Sequence, residues 1–459
     1  MPTSDPAAIS ARLDRLPPTR SVWRLVALLS MGGFFEFYDL FFTAYVAPGL
    51  IRSGLYTAST KSFFGITGFA SFVAAFFAGL FVGTLLFGFI ADRYGRRLIF
   101  TVSLLWYTVC TIVMALQFSA EAINLWRFLA GIGIGVELVT IDTYIAELVP
   151  RHLRGRAFAV NQLIQFSVVP IVAALSWLLV PCAPLGFDGW RWVVLIGAGG
   201  AIAVWWIRRG VPESPRWLAQ QGRLVEAERI TAALEARVAA EYGAPLPPPT
   251  AGDPVVPRGH FGEIWRPPYL RRTIMLIVFN VFQTVGFYGF GNWVPTLLIA
   301  EGVTITHSLA YTFVIAIASP FGPLLGYTLA DRIERKWQIV MAACGVAVFG
   351  LIFAGLRSAP AIIVVGIALT LANNIMSFAF HAYQAELYPT RVRALAVGFV
   401  YSWSRLSVVF MAFVIAFTLG RFGPTGVFVL IAGSMGVVML AIGALGPRTR
   451  HLPLEVVSR

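Results

Sequence analysis

The sequence is poor in charge and in cysteine. Only 12% of its 459 residues are Asp, Glu, Lys or Arg, about half the share of an ordinary soluble domain. Such a chain cannot cover a water-exposed surface of normal composition. The three cysteines, Cys110, Cys182 and Cys344, show no metal-ligand spacing and no disulfide framework. No GxxxxGK followed by Ser or Thr occurs, so no ATP-driven pump is indicated. No metal or nucleophile constellation suggests a membrane-embedded enzyme, and no cofactor is called for. A cleavable signal peptide is also missing: the first 20 residues are polar, with Arg12, Arg15 and Arg20, and the apolar run behind them is too long and lacks a small-residue cleavage site.

Apolar runs fill the space that charge leaves. Hydrophobic residues make up 58% of the chain and mean hydropathy is +0.76, which implies a polytopic membrane protein whose main partner is the lipid bilayer. About 20 apolar residues cross a bilayer. On that measure twelve spans are expected, near 22–47, 64–91, 98–118, 122–147, 157–180 and 189–208, then 272–299, 308–330, 337–357, 360–385, 394–419 and 423–446. The fold class is all-α, with twelve transmembrane helices in two pseudo-symmetric six-helix bundles. The net charge of +13 does not imply nucleic acid, because the arginines collect in alternate loops such as Arg93, Arg96, Arg97 and Arg151, Arg154, Arg156. That alternation puts both termini in the cytoplasm of a plasma membrane, a bacterial inner membrane being expected.

Residues 209–271 form the one long polar stretch, with a charged helical part from Leu224 to Ala240 and the proline-rich APLPPPTAGDPVVPRG, which cannot be helical. It divides the chain into 1–208, a cytoplasmic linker 209–271, and 272–459. The flanking parts repeat. GFIADRYGRR after the second span is echoed by GYTLADRIERK after the eighth, and AELVPRHLRGRA by AELYPTRVRALA. Asp92 and Asp331, Glu147 and Glu386, and Arg154 and Arg393 share one offset of 239 residues. A duplicated six-span unit suggests two bundles rocking about a central site.

With GxxxxGxxxDRxGRR at Gly83–Arg97, PESPRWL at Pro212–Leu218 and AELxPxxxRG at Ala146–Gly155, the chain resembles the major facilitator superfamily over nearly its whole length, and within it the sugar porters and related metabolite symporters. The resemblance implies transport by alternating access, by a monomer that takes a small-molecule substrate together with protons. It also implies that Asp92, Arg96, Arg97, Glu147, Arg154, Asp331, Glu386 and Arg393 form clusters that latch the outward-open state. Plain positive-inside anchoring is the competing reading of those arginines.

Inside the spans, acids are costly, roughly 2.5–3.5 kcal/mol each at a helix centre on insertion scales, so each one asks for a role. In FFEFYDLFF, Asp39 lies at a depth similar to Arg127 of RFLAGIGIGVE, and both match proton-coupled sugar porters. There the arginine would favour the ionised acid, and its removal would let the acid take up a proton; a static ion pair is the bland alternative. Glu36, one turn below Asp39, is either a second proton site or a border of the substrate. Glu137 resembles an acid of organic-ion relatives, and Asp142 belongs either there or to the inner charge cluster. Gly131, Gly133 and Gly135 fit close helix packing rather than a nucleotide loop.

For the substrate, Gln162, Gln165, Gln283 and Asn292 are the neutral polar candidates. Phe282, Tyr288, Ser377, Phe378 and His381 stand where the sugar porters have other residues, which argues against a sugar. Arg405, three turns into the eleventh span, needs a carboxylate from the substrate or from Glu137 or Glu36. The first reading is therefore proton-coupled symport of a small organic acid. A sugar or polyol symporter is the second, and a solute sensor that does not transport is the third.

Overall fold

The computed structural model describes residues 6–59, 65–87, 93–200, 210–249, 260–330 and 332–449. Asp92 and Asp331 lie outside the described residues. Among those described, every regular element is helical except one isolated bridge between Thr57 and Gly68. The order is α1 (Pro6–Asp14), α2 (Arg20–Arg52), α3 (Phe69–Phe87), α4 (Arg96–Ala115), α5 (Ala120–Leu148), α6 (Arg154–Leu179) and α7 (Gly189–Gly197), then α8 (Pro215–Gln220) and α9 (Leu224–Tyr242) of the polar stretch. The rest of the chain forms α10 (Tyr269–Gly291), α11 (Val294–Ala300), α12 (Ile305–Ala316), α13 (Phe321–Ala330), α14 (Arg335–Ala354), α15 (Ala359–Glu386) and α16 (Thr390–Leu440).

Nine helical segments among the described residues are long and apolar enough to cross a membrane. The last of these covers two expected spans, because Gly423 takes φ 68° and breaks α16 just before Pro424. The shorter apolar helix α3 and α7, the described start of the sixth span, fill the remaining positions. The seventh span divides into α10 and α11 just before Pro295, and the eighth divides into α12 and α13 at Pro320, since proline removes a backbone donor and crowds the preceding turn. Helix α2 has 33 residues, about 50 Å at 1.5 Å per residue, so it is longer than a hydrocarbon layer of about 30 Å is thick.

Lipid gives helices little hydrophobic reason to associate, so close backbone approach matters more. The α3–α5 seam shows it. A Cβ added to Gly79 would lie 2.0 Å from the Phe128 carbonyl oxygen, one on Gly83 2.1 Å from that of Ile132, one on Gly131 2.3 Å from that of Phe76, and one on Gly135 2.4 Å from that of Leu80. Gly133 instead faces Trp106 and Tyr107 of α4.

The first and second six-span sets touch through aromatic rings remote from the ends that carry α1, α8 and α9. Phe69 meets Trp293 edge-on at 5.2 Å, Phe77 meets Tyr288 at 4.6 Å, and Trp177 stacks on Phe313 at 5.8 Å. Nearer the linker helices, Asp142 is exposed. Among the described residues the aromatic contacts between the two sets thus lie on the far face.

Candidate functional site

Asp39 and Arg127 meet inside the first set. Arg127 Nη1 donates to Asp39 Oδ2 at 2.6 Å, and Nη2 donates to the Asp39 carbonyl at 2.8 Å and to Thr43 Oγ1 at 2.6 Å. Thr111 donates to Asp39 Oδ1 at 3.1 Å. The guanidinium also lies over Phe76, Phe42 and Phe72, at 3.9, 4.4 and 5.1 Å from their ring centres. Asp39 is 3% exposed and Arg127 fully buried. At effective dielectric constants well below that of water such a pair attracts strongly, and the aromatic cage adds cation–π attraction.

Glu36 and Glu137 are buried without such support. None of their four carboxyl oxygens has a hydrogen-bond partner. Glu137 Oε1 lies against Gly32 of α2, 3.1 Å from where a Cβ would stand. Glu36 is in electrostatic reach of Asp142, Arg405 and Asp39, and Glu137 in reach of Glu36.

Arg405 is 4% exposed. Its Nη1 donates to the Tyr288 hydroxyl at 2.5 Å and its Nη2 to the Tyr401 hydroxyl at 3.0 Å. Neither Glu137 nor Glu36 is within ion-pair distance, so the protein-carboxylate alternative for Arg405 is not what the structure contains. His381 Nδ1 sits 2.7 Å from the Ser377 carbonyl oxygen, and its ring lies 5.3 Å from Tyr401. A continuous row therefore runs from His381 through Tyr401, Arg405 and Tyr288 to Phe77, crossing from the second set to the first.

The amides are more scattered. Gln165 packs on Gly33, Gln162 is half-buried, Gln283 is buried, and Asn292 is buried with an unpartnered Nδ2. Between the sets lies a small cavity of about 60 Å³ lined by Phe41, Tyr45, Phe166, Phe287, Thr312 and Asn373, among others. Sequence reasoning missed it, although Asn373-Asn374 in an otherwise apolar span was a usable signal.

At the linker face, Arg96 Nη2 pairs with Glu147 at 3.0 Å, and Glu386 pairs with Arg335. The shared 239-residue offset relates Arg335 to Arg96, so applying that offset to Arg96 would have found it. Arg154 Nη2 lies 3.8 Å from Asp14, and Arg393 Nε donates to the Tyr388 carbonyl at 3.1 Å. Glu213 of the PESPRWL stretch accepts from the backbone N–H groups of Arg96 and Arg97 at 3.0 and 3.2 Å, placing a carboxylate on the N-terminus of α4, where it is favoured.

In the sequence the first 20 residues stand out only as polar; the structure makes Pro6–Asp14 a helix. It docks on the linker: Arg12 pairs with Glu228 and Glu235, Arg15 with Glu235, and Asp14 with Arg216 at 2.7 Å. Burial pushes the Glu235 carboxyl up, but hydrogen bonds from Arg12 and Arg15 outweigh it and hold it below its ordinary range.

A family model described as "Sugar (and other) transporter" matches residues 25–459. A Bacillus subtilis protein provisionally named as a metabolite transport protein, YyaJ, is 32% identical over 442 residues, covering 95% of each chain. The niacin transporter NiaP of Acinetobacter baylyi is 25% identical over 453 residues, covering 98% of this chain and 99% of its own. Among solved structures, the partially occluded inward-open xylose transporter XylE from E. coli is similar with a TM-score of 0.74 at 18% identity, covering 94% of this chain and 99% of that one.

Proposed function

The chain belongs to the sugar (and other) transporter family, and from that premise we propose that it is a proton-coupled symporter of a small organic acid. Membership makes it a multi-pass membrane transporter of a small molecule rather than an enzyme. In this reading the halves are 1–208 and 272–459, joined by the linker 209–271, with the linker face and both termini in the cytoplasm of a bacterial inner membrane.

The observation that carries the substrate class is Arg405. It is a buried cation between two phenol hydroxyls, with no carboxylate of the described residues within ion-pair distance. A guanidinium binds a carboxylate with two parallel hydrogen bonds, and a substrate acid would complete the site. Niacin, the substrate in the name of the relative NiaP, is itself a carboxylic acid. Gln162, Gln165, Gln283, Asn292 and His381 would contact the rest of the ligand.

Coupling rests on Asp39 and Arg127. With the two sets in contact on the far face, the pair is closed and Asp39 is charged. Turning outward would separate the two, leaving Asp39 to take up a proton so that it is not stranded as a lone buried charge. Returning inward would re-form the pair and release the proton. Arg96–Glu147 and Arg335–Glu386 are already closed here, each within one half; joined across the linker face through Asp92, Asp331, Arg97, Arg154 and Arg393, they would latch the outward-open state.

A sugar or polyol remains the second reading, favoured by the likeness to the xylose transporter and by the three glutamines. Thermal unfolding of the purified protein against aromatic acids, dicarboxylates, amino acids and sugars separates the two, since a ligand stabilises the state it binds. Stabilisation by an acid and not by its uncharged amide is expected; stabilisation by a sugar alone overturns the acid.

A further inference from the structure

Glu36, like Glu137, is a buried acid that the transport cycle above leaves without a task, and of the two it is the one that Arg405 reaches. Both of its carboxyl oxygens lie out of contact with water and have no hydrogen-bond partner. Burying a carboxyl unpartnered is unfavourable, and an intramembrane acid marks a functional position. The charged and titratable groups around it are Asp39 on its own helix, Tyr107 on α4, Glu137 and Asp142 on α5, and Arg405 and Tyr401 on α16. Asp39 is engaged with Arg127, and Glu137 and Asp142 carry the same sign. Arg405 is the near cation, yet the hydroxyls of Tyr288 and Tyr401 hold its two terminal nitrogens. The tyrosines thus occupy the guanidinium's terminal nitrogens, and Arg405 and Glu36 form no ion pair across the junction of the two halves.

We propose that Glu36 is the second pole of the substrate site. It accepts a hydrogen bond from an N–H or O–H on the end of the ligand opposite the carboxylate that Arg405 holds. The ligand class is then a ring acid bearing an amino or hydroxyl group across the ring. A rigid ring keeps the two ends apart, and the rings of Phe77 and Phe287 packed against Tyr288 suit its faces. This proposal rests on the organic-acid reading and goes further by fixing what the other end of the acid must carry.

The test is binding by the purified full-length transporter to benzoate, 3-hydroxybenzoate, 4-hydroxybenzoate and 3-aminobenzoate, measured calorimetrically. At least one substituted acid should bind about tenfold or more tighter than benzoate, the scale of one hydrogen bond to a charged group. Glu36→Gln should remove that advantage and leave benzoate within about twofold of the wild type, on the same scale. Glu36→Asp, which keeps the acid and shortens its reach, should weaken the substituted acid selectively and serves if the glutamine variant does not fold. Equal binding of benzoate and all three substituted acids by the wild type overturns the second pole. So does an equal loss for every acid in both variants, which would make Glu36 a general electrostatic or structural group. If none of the four acids binds while a sugar does, the failure belongs to the organic-acid reading itself.

Discussion

Arg127 and Arg405 are both buried arginines among membrane-spanning helices, one in each half, and they are held in opposite ways. Arg127 has a carboxylate at 2.6 Å, a threonine hydroxyl, a backbone carbonyl and three phenyl faces. Arg405 has two neutral phenols. A charge that the protein balances itself can serve as a switch, because opening it has a large and well-defined cost. One that it leaves unbalanced can serve as a seat, because something from outside must complete it. On the proposed reading, the same residue type couples in one half and recognises the substrate in the other.

Four experiments sharpen or break that contrast. The largest effect is expected from Asp39→Asn, which should abolish accumulation of substrate against its gradient while sparing exchange between equal pools. Accumulation by that variant would remove Asp39 from coupling. Next, Arg405→Gln should weaken binding of the acid about ten- to hundredfold, corresponding to roughly 1.5–3 kcal/mol. Arg405→Lys should also weaken it, because the planar fork is lost. An uncharged analogue should lose little in either variant.

Stability should reverse the order of the two arginines. Arg127→Gln leaves Asp39 as an uncompensated buried acid and should cost about 3–5 kcal/mol, read by thermal unfolding. Arg405→Gln leaves two phenols and no charge, and should cost distinctly less. Equal costs would mean that Arg405 is a structural ion in its own right.

The smallest effect concerns the linker. Glu235→Gln should destabilise docking of α1 by about 1 kcal/mol, as for a partly exposed pair, seen as faster proteolysis near the N-terminus. The folded Glu235 value is depressed, so its contribution is full above the unfolded value of about 4.3. It disappears as pH falls through the folded value. Docking that is insensitive to acid below that range would show that the ion pairs carry no weight.

The spans and the Asp39–Arg127 pair were legible in the sequence because each rests on a one-dimensional signal: apolar run length, and helical depth within a known motif. Arg405's neighbours were not. Tyr288 and Tyr401 come from the seventh and eleventh spans, and no spacing rule says which faces of those helices turn toward each other. Glu147 and Glu386 stand in the repeat as latch residues, but the Arg335 partner appears only when the same offset is applied to Arg96. The docked α1 left the faintest trace, a buried Ile9, Leu13 and Leu16 on a short polar segment. Gly131 and Gly135 were read as packing residues; that their counterparts are Gly79 and Gly83 emerged only with the helices in place.

That glycine seam has a mechanical consequence. With carbonyl oxygens about 2 Å from the sites where Cβ atoms would stand, α3 and α5 have no side-chain layer in which to slip. They are in effect welded and behave as one beam. Arg127 rides on that beam, as do Phe72 and Phe76 of its cage, so the guanidinium cannot be withdrawn by bending α5 alone. If the pair opens as proposed, the moving part is α2, pivoting against the beam and carrying Asp39 and Glu36 together on a single lever.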